Sequence, residues 1–190
     1  MDFLKNFIKL NYEAKGCALI ASEIENKLKK QGIEVKKDLT RGLDHGAWTL
    51  LKHLYPDADI PIIQISINSH LPIENQVNIG NAIKDLGEED ILVIGSGNTV
   101  HNLRLVNWEQ TSVDSWAQEF NDWLIDKIKN KDFNSLFNYR DLAPHSNLAV
   151  PTADHFVPLF IALGSSKSSN PEILFRSYEL GNLSYLCFKF

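Results

Sequence analysis

Two apolar, β-branched runs, "IPIIQISIN" (Ile60 to Asn68) and "DILVIGSG" (Asp90 to Gly97), flank a stretch in which Ile79, Ala82, Ile83 and Leu86 recur at helical spacing. Nearly continuous apolar character is what a strand covered on both faces requires, and a helix between two such strands is a β-α-β unit. This alternation constrains the chain more than any other feature. It predicts an α/β fold, a mixed sheet with helices on both faces, in which ligands collect at the carboxyl ends of the strands. The second run closes on glycines and continues as "NTVHNLR", so His101 falls just beyond a strand end. That context alone leaves packing and chemistry both open for His101.

The rest of the chain keeps the same rhythm. Ile20, Ile24 and Leu28 make an amphipathic helix over residues 17–31 with Gly32 as its C′ residue, "GIEVKK" reads as a short strand, and "DLTRGLDHG" as a loop. "AWTLLKHLYP" is helical up to Pro56. Val113, Trp116, Phe120, Trp123, Leu124 and Ile128 trace a helix whose aromatic stripe is expected to be core, and a short helix lies near "FNSLFNY". In "PTADHFVPLFIALGS", Thr152 is the expected N-cap of a helix that includes His155 and ends at Gly164, with Pro158 near its first turn. "EILFRSY" and "LSYLCFKF" read as two strands joined at "ELGN".

Composition narrows the function classes. With 190 residues, 44% of them hydrophobic and 23% charged, the chain has enough apolar material for one domain over residues 1–190. A formal net charge of -5 with scattered lysines and arginines gives no basic footprint, so nucleic acid is not expected as a partner. Cys17 and Cys187 have no metal or redox spacing and are expected to be two thiols in a reducing cytoplasm. The opening "MDFLKNFIKLNYEAKG" carries charges throughout, which suits neither a signal peptide nor a membrane span.

Six histidines carry the candidate chemistry. His53 within a helix, His70 in "NSHLP" and His145 after Pro144 read as structural or solvent-facing. His45 of "RGLDHGAW" and His101 of "GSGNTVHN" each follow a strand, beside glycines that let backbone approach a ligand closely. His155, read at a helix start, would be held neutral there and fit to bind a metal. No H-E-x-x-H, nucleophile elbow, P-loop or cysteine-rich zinc pattern is present, and "GSGN" is too short for a dinucleotide fingerprint. A histidine-built metal or acid–base site is the remaining idea.

The ordered set "RGLDHGAW", "LYPDADIPIIQISI", "ILVIGSGNTVHNLR", "APH", "PTADHFVPLFIALG" and "LSYLCFKF" resembles the class III extradiol ring-cleavage dioxygenases, in their 4,5-DOPA dioxygenase-like branch, over essentially the whole chain. The resemblance implies an α/β fold with a mononuclear non-haem iron(II) site, zinc in some members, that binds a DOPA-like catechol and dioxygen and opens the ring. Carried over by position, it makes His101 the acid–base histidine, His155 a metal ligand and His45 a histidine lining the substrate pocket. Family members begin with "HGSP"-like and "SAHW"-like motifs that each supply a ligand, and neither occurs here. The resemblance therefore implies an N-terminally shortened fold without the first strands, with an open apolar sheet edge at which a homodimer could form. On that basis the polypeptide by itself is expected not to cleave rings and to hold no complete iron site. The alternatives are a non-catalytic remnant acting as a small-molecule binding or oligomerising module, and metal-free acid–base chemistry by His45 and His101.

Overall fold

The computed structural model describes residues 12–168 and 170–190. Composition argues for one domain, and within it the chain divides into two compact units, Met1–Ser66 and Ile67–Phe190.

In the first unit, α1 (Ala18–Lys30) buries Ile24 and Leu28, which stand one turn apart. Its end has the bonding pattern of a Schellman motif. The Ile33 N–H donates to the Leu28 carbonyl at 3.1 Å and the Gly32 N–H to the Lys29 carbonyl at 2.9 Å, with Gly32 at φ 73°. A β-carbon is disfavoured in that left-handed conformation, which is why the expected glycine sits there. Lys37 reaches back to Glu25 at 2.8 Å, and Glu25 also pairs with Lys29 at 2.7 Å. The next helix, α2 (His45–Leu54), begins two residues before the expected "AWTLL" start because the Asp44 carboxylate accepts the Ala47 N–H at 3.0 Å. His45 is its first residue. The Gln64 side chain in turn accepts the Asp44 N–H at 2.9 Å.

The second unit is mainly helical. It contains α3 (Ile73–Ala82), a 3-10 turn (Lys84–Glu89), α4 (Ser115–Lys129) and three short helices, α5 (Phe133–Phe137), α6 (Tyr139–Leu142) and α7 (Ser146–Ala149). Then follow α8 (Pro158–Ser165) and an antiparallel hairpin of β1 (Glu172–Glu179) and β2 (Leu183–Lys189). The core gathers on α4, where Ala117, Phe120, Leu124 and Ile128 are buried against Leu136, Phe156, Phe160 and Val100. Phe156 is the centre of an aromatic group, 5.8 Å from Phe120, 4.8 Å from Tyr139 and 5.0 Å from Phe160 between ring centroids. The α4 stripe is thus core, as its spacing predicts, with Trp116 and Trp123 packed at its margin.

Helices α3 and α8 cross at two glycines. A β-carbon on Gly80 would run into the Ile161 carbonyl, and one on Gly164 into the Val77 carbonyl. Side chains at either position would force the helices apart.

The strand assignments divide. The strands read at "EILFRSY" and "LSYLCFKF" are β1 and β2, joined at Leu180 (φ 52°) and Gly181 (φ 87°). The expected strands at "GIEVKK", "IPIIQISIN" and "DILVIGSG" carry no ladder, and the paired sheet among the described residues has two strands. Apolar, β-branched sequence suits a strand, but a ladder also needs a neighbour presenting its backbone. Leu92 is 69% exposed and Ile94 41% exposed, so the run read as a buried strand shows apolar surface. The helix expected to start at Thr152 starts instead at Pro158. The Phe156 and Val157 N–H groups both donate to the Ala153 carbonyl, closing a separate turn that contains His155, and Pro158 then takes the first helical position, where its missing N–H costs nothing.

Candidate functional site

The glycines of "GSGN" serve a close approach, but to the protein's own backbone. A β-carbon on Gly97 would overlap the His155 carbonyl oxygen, and one on Gly95 the Pro158 carbonyl oxygen. With both side chains absent, the Asn98 N–H donates to the His155 carbonyl at 2.8 Å. The segment leading to His101 is in this way laid directly on the turn that carries His155.

From there the backbone is fixed residue by residue. Buried Thr99 donates its hydroxyl to Asn121 Oδ1 at 2.7 Å and lies 3.1 Å from Ser184 Oγ, which accepts from Asn121 Nδ2 at 2.7 Å. Val100 is buried, and its carbonyl accepts the Ser184 N–H at 3.1 Å. The His101 N–H donates to the Ala149 carbonyl at 3.0 Å. The Asn102 N–H donates to Asn182 Oδ1 at 3.2 Å, and Asn102 Nδ2 to the Leu148 carbonyl at 2.9 Å. Helix α4, α7 and the hairpin thus all hold this one loop.

The outcome is a stacked pair. The His101 and His155 rings lie with centroids 4.0 Å apart and planes 24° from parallel. Asp154 Oδ2 stands 3.3 Å from His155 Nε2, and both side chains are partly exposed. Partial burial, and next the neighbouring His155 imidazole, lower the His101 pKa below its ordinary value, while Asp154 opposes them. The Thr152 side chain, as a hydrogen-bond donor, holds the Asp154 carboxyl below the usual range. A partly exposed His101 imidazole that favours its neutral form is suited to accepting a proton.

The sequence named His101 and His155, and the structure brings them together. His45 belongs to the first unit, exposed at the start of α2. His53 and His70 are exposed, and His145, at φ 55° before α7, pairs with Glu119 at 2.9 Å, as a turn residue would. Asp154, Asn102 and Asn182 were not singled out. A spacing of one residue from His155 was the available signal for Asp154, and none marked Asn182. A cavity of about 600 Å³ in the second unit is lined by Val77, Ile128, Phe133, Leu163 and Phe190 among others and includes neither stacked histidine.

The family model described as the catalytic LigB subunit of aromatic ring-opening dioxygenase matches residues 1–187. The chain belongs to that family. Among its relatives, a 4,5-DOPA dioxygenase extradiol of Beta vulgaris is 35% identical over 99% of this chain and 71% of its own. A 4,5-DOPA dioxygenase extradiol of Escherichia coli K12 is 34% identical, over 93% of this chain and 66% of its own. The crystal structure of an uncharacterized Escherichia coli K12 protein superposes with a TM-score of 0.84 at 33% identity, covering 95% of this chain and 75% of the other. The fold is accordingly that of the extradiol ring-opening dioxygenases, with a small sheet among many helices. Such a dioxygenase implies a metal. Among the described residues, no three His, Cys, Asp or Glu side chains converge tightly enough to hold an ion. The stacked rings present their faces to each other, whereas a metal is bound at ring edges. His155 and its neighbours therefore do not make a full coordination sphere by themselves. No helix among the described residues is long and apolar enough to cross a membrane.

Proposed function

We propose that the chain serves extradiol cleavage of a DOPA-like catechol, with His101 as its acid–base residue and His155 as one ligand of an iron(II) ion, zinc being the alternative. The observation that carries this reading is the face-to-face pair of His101 and His155, built by glycine contacts and backbone hydrogen bonds from separate parts of the sequence. Such an arrangement costs backbone freedom and would be superfluous for packing at a half-exposed position. On this reading His101 takes a hydroxyl proton from a bound catechol and returns it to the opened product. Catechol and dioxygen are then the partners, in a reducing cytoplasm and within a single functional domain, and neither nucleic acid nor membrane enters the reaction.

Exposed Leu92 and Ile94 favour a second reading, a module that binds a small molecule or assembles with a second copy without turnover. One experiment separates the two. The purified chain is loaded anaerobically with iron(II) or zinc, mixed with DOPA in air, and followed by absorbance for a yellow ring-opened product, with metal content measured in parallel. Product that disappears in His101→Phe supports ring cleavage. A chain that binds catechol, retains no metal and forms no product establishes the second reading.

A further inference from the structure

We propose that Asn182 is a positioning residue for His101, acting through the Asn102 amide; the catalytic consequence rests on the acid–base reading of His101. Asn182 is buried and follows the turn between β1 and β2. That turn is anchored on both sides of its tip, by the Asn107 N–H on the Leu180 carbonyl at 3.2 Å and the Asp114 N–H on the Gly181 carbonyl at 2.8 Å. The Gln110 and Asp114 side chains lie against Gly181, 3.1 to 3.2 Å from where a β-carbon would stand. Asn182 therefore presents Oδ1 from a fixed backbone, and Oδ1 accepts the Asn102 N–H at 3.2 Å. Two residues on, the Ser184 N–H takes the Val100 carbonyl at 3.1 Å. The hairpin thus grips the residue before His101 and the residue after it, and Ala149 takes the amide of His101 itself.

The other end of the Asn182 side chain shows what the residue is for. Its Nδ2 is buried without a hydrogen-bond partner among the described residues. A buried amide donor left unpaired lowers stability, so packing alone would favour an apolar side chain of this size. Accepting the Asn102 N–H through Oδ1 is the compensating role. A loop that leaves an unpaired apolar run and must set an imidazole 4.0 Å from another ring has need of it.

Asn182→Leu removes the acceptor and keeps the volume; Asn182→Asp keeps an acceptor in the same shape. In the full chain, Asn182→Leu removes one unpaired buried donor, Nδ2, and leaves another, the Asn102 N–H, so the urea midpoint is expected to move little, while hydrogen exchange at the Asn102 amide speeds up and the nuclear Overhauser contact between the His101 and His155 rings is lost. Its kcat with DOPA should fall about 10²-fold with KM little changed, as for a misplaced catalytic group, and Asn182→Asp should recover ring contact and most of kcat. Unaltered ring contact and kcat in a folded Asn182→Leu would overturn the proposal. If Asn182→Leu does not fold, Asn182→Asp and Asn182→Ala are compared by the same ring contact, and equal contacts in both overturn it. A parent chain that gives no product sinks the ring-cleavage reading, while exchange and ring contact still decide the role of Asn182.

Discussion

His101 and His155 lie ring upon ring, 4.0 Å between centroids, and the carbonyl of one residue, His155, bonds the strand-like segment that delivers the other. Stacking and proton transfer are separable properties of an imidazole. His101→Phe should keep the stack and lose the proton acceptor. Steady-state kinetics with DOPA are expected to show turnover down by about 10²- to 10⁴-fold, while the urea midpoint stays close to the parent's. Full turnover in His101→Phe would remove it from the reaction.

Gly97→Ala places a methyl group on the His155 carbonyl and breaks the register that lets Asn98 bond it. Overpacking against backbone has no flexible neighbour to yield, so a loss of about 1 to 3 kcal/mol is expected in urea unfolding. Gly87→Ala is the control. Nothing lies within 4 Å of a β-carbon there, and its φ is not positive, so the same measurement should show no loss.

Phe156 is buried and touches three other aromatic rings. Phe156→Ala should cost about 3 to 5 kcal/mol in the same assay. Because Phe156 follows His155 directly, its removal should also weaken the ring contact seen by nuclear Overhauser spectroscopy. A loss below 1 kcal/mol would mean that the aromatic group closes over the gap.

Glu25 supplies an acid-sensitive contact. Hydrogen bonds from Lys29 and then Lys37 hold its carboxyl at about 2, below the ordinary 4.5. The folded value lies below the unfolded one, so the contribution is complete above pH 4.5 and disappears as pH falls towards 2. Being at the surface, it should also weaken with salt. The urea midpoint of the parent is expected to drop more steeply than that of Glu25→Gln between pH 5 and pH 2.5 at low salt, and parallel curves would refute the assignment.

Legibility from sequence followed the range of the interactions involved. Ile24, Leu28 and Gly32 marked α1 because a helix and its cap are local, and two runs rich in apolar and aromatic residues joined at "ELGN" marked β1 and β2 for the same reason. Pro158 was read correctly as a first-turn residue, yet the start was set at Thr152, since nothing local shows that Ala153 closes its own turn. The runs at Ile60 and Asp90 had strand composition, but pairing is a property of two segments and only one was being read. His101 and His155 were found by residue type and motif. Their stacking and the asparagine clamp depend on distant backbone and left no mark in spacing, whereas Asp154 stands next to His155 in the sequence itself.

The clamp sets the order in which the site is assembled. Asn102 and Asn182 are 80 positions apart in sequence, and Thr99 and Ser184 are 85 apart. The hairpin contacts to the His101 loop therefore span more of the chain than those from Asn121, Leu148 and Ala149, which come earlier in the sequence. Closing so long a loop is slow compared with forming α4 locally. The contacts on either side of His101 are therefore among the last that the chain closes, after α4 has formed locally.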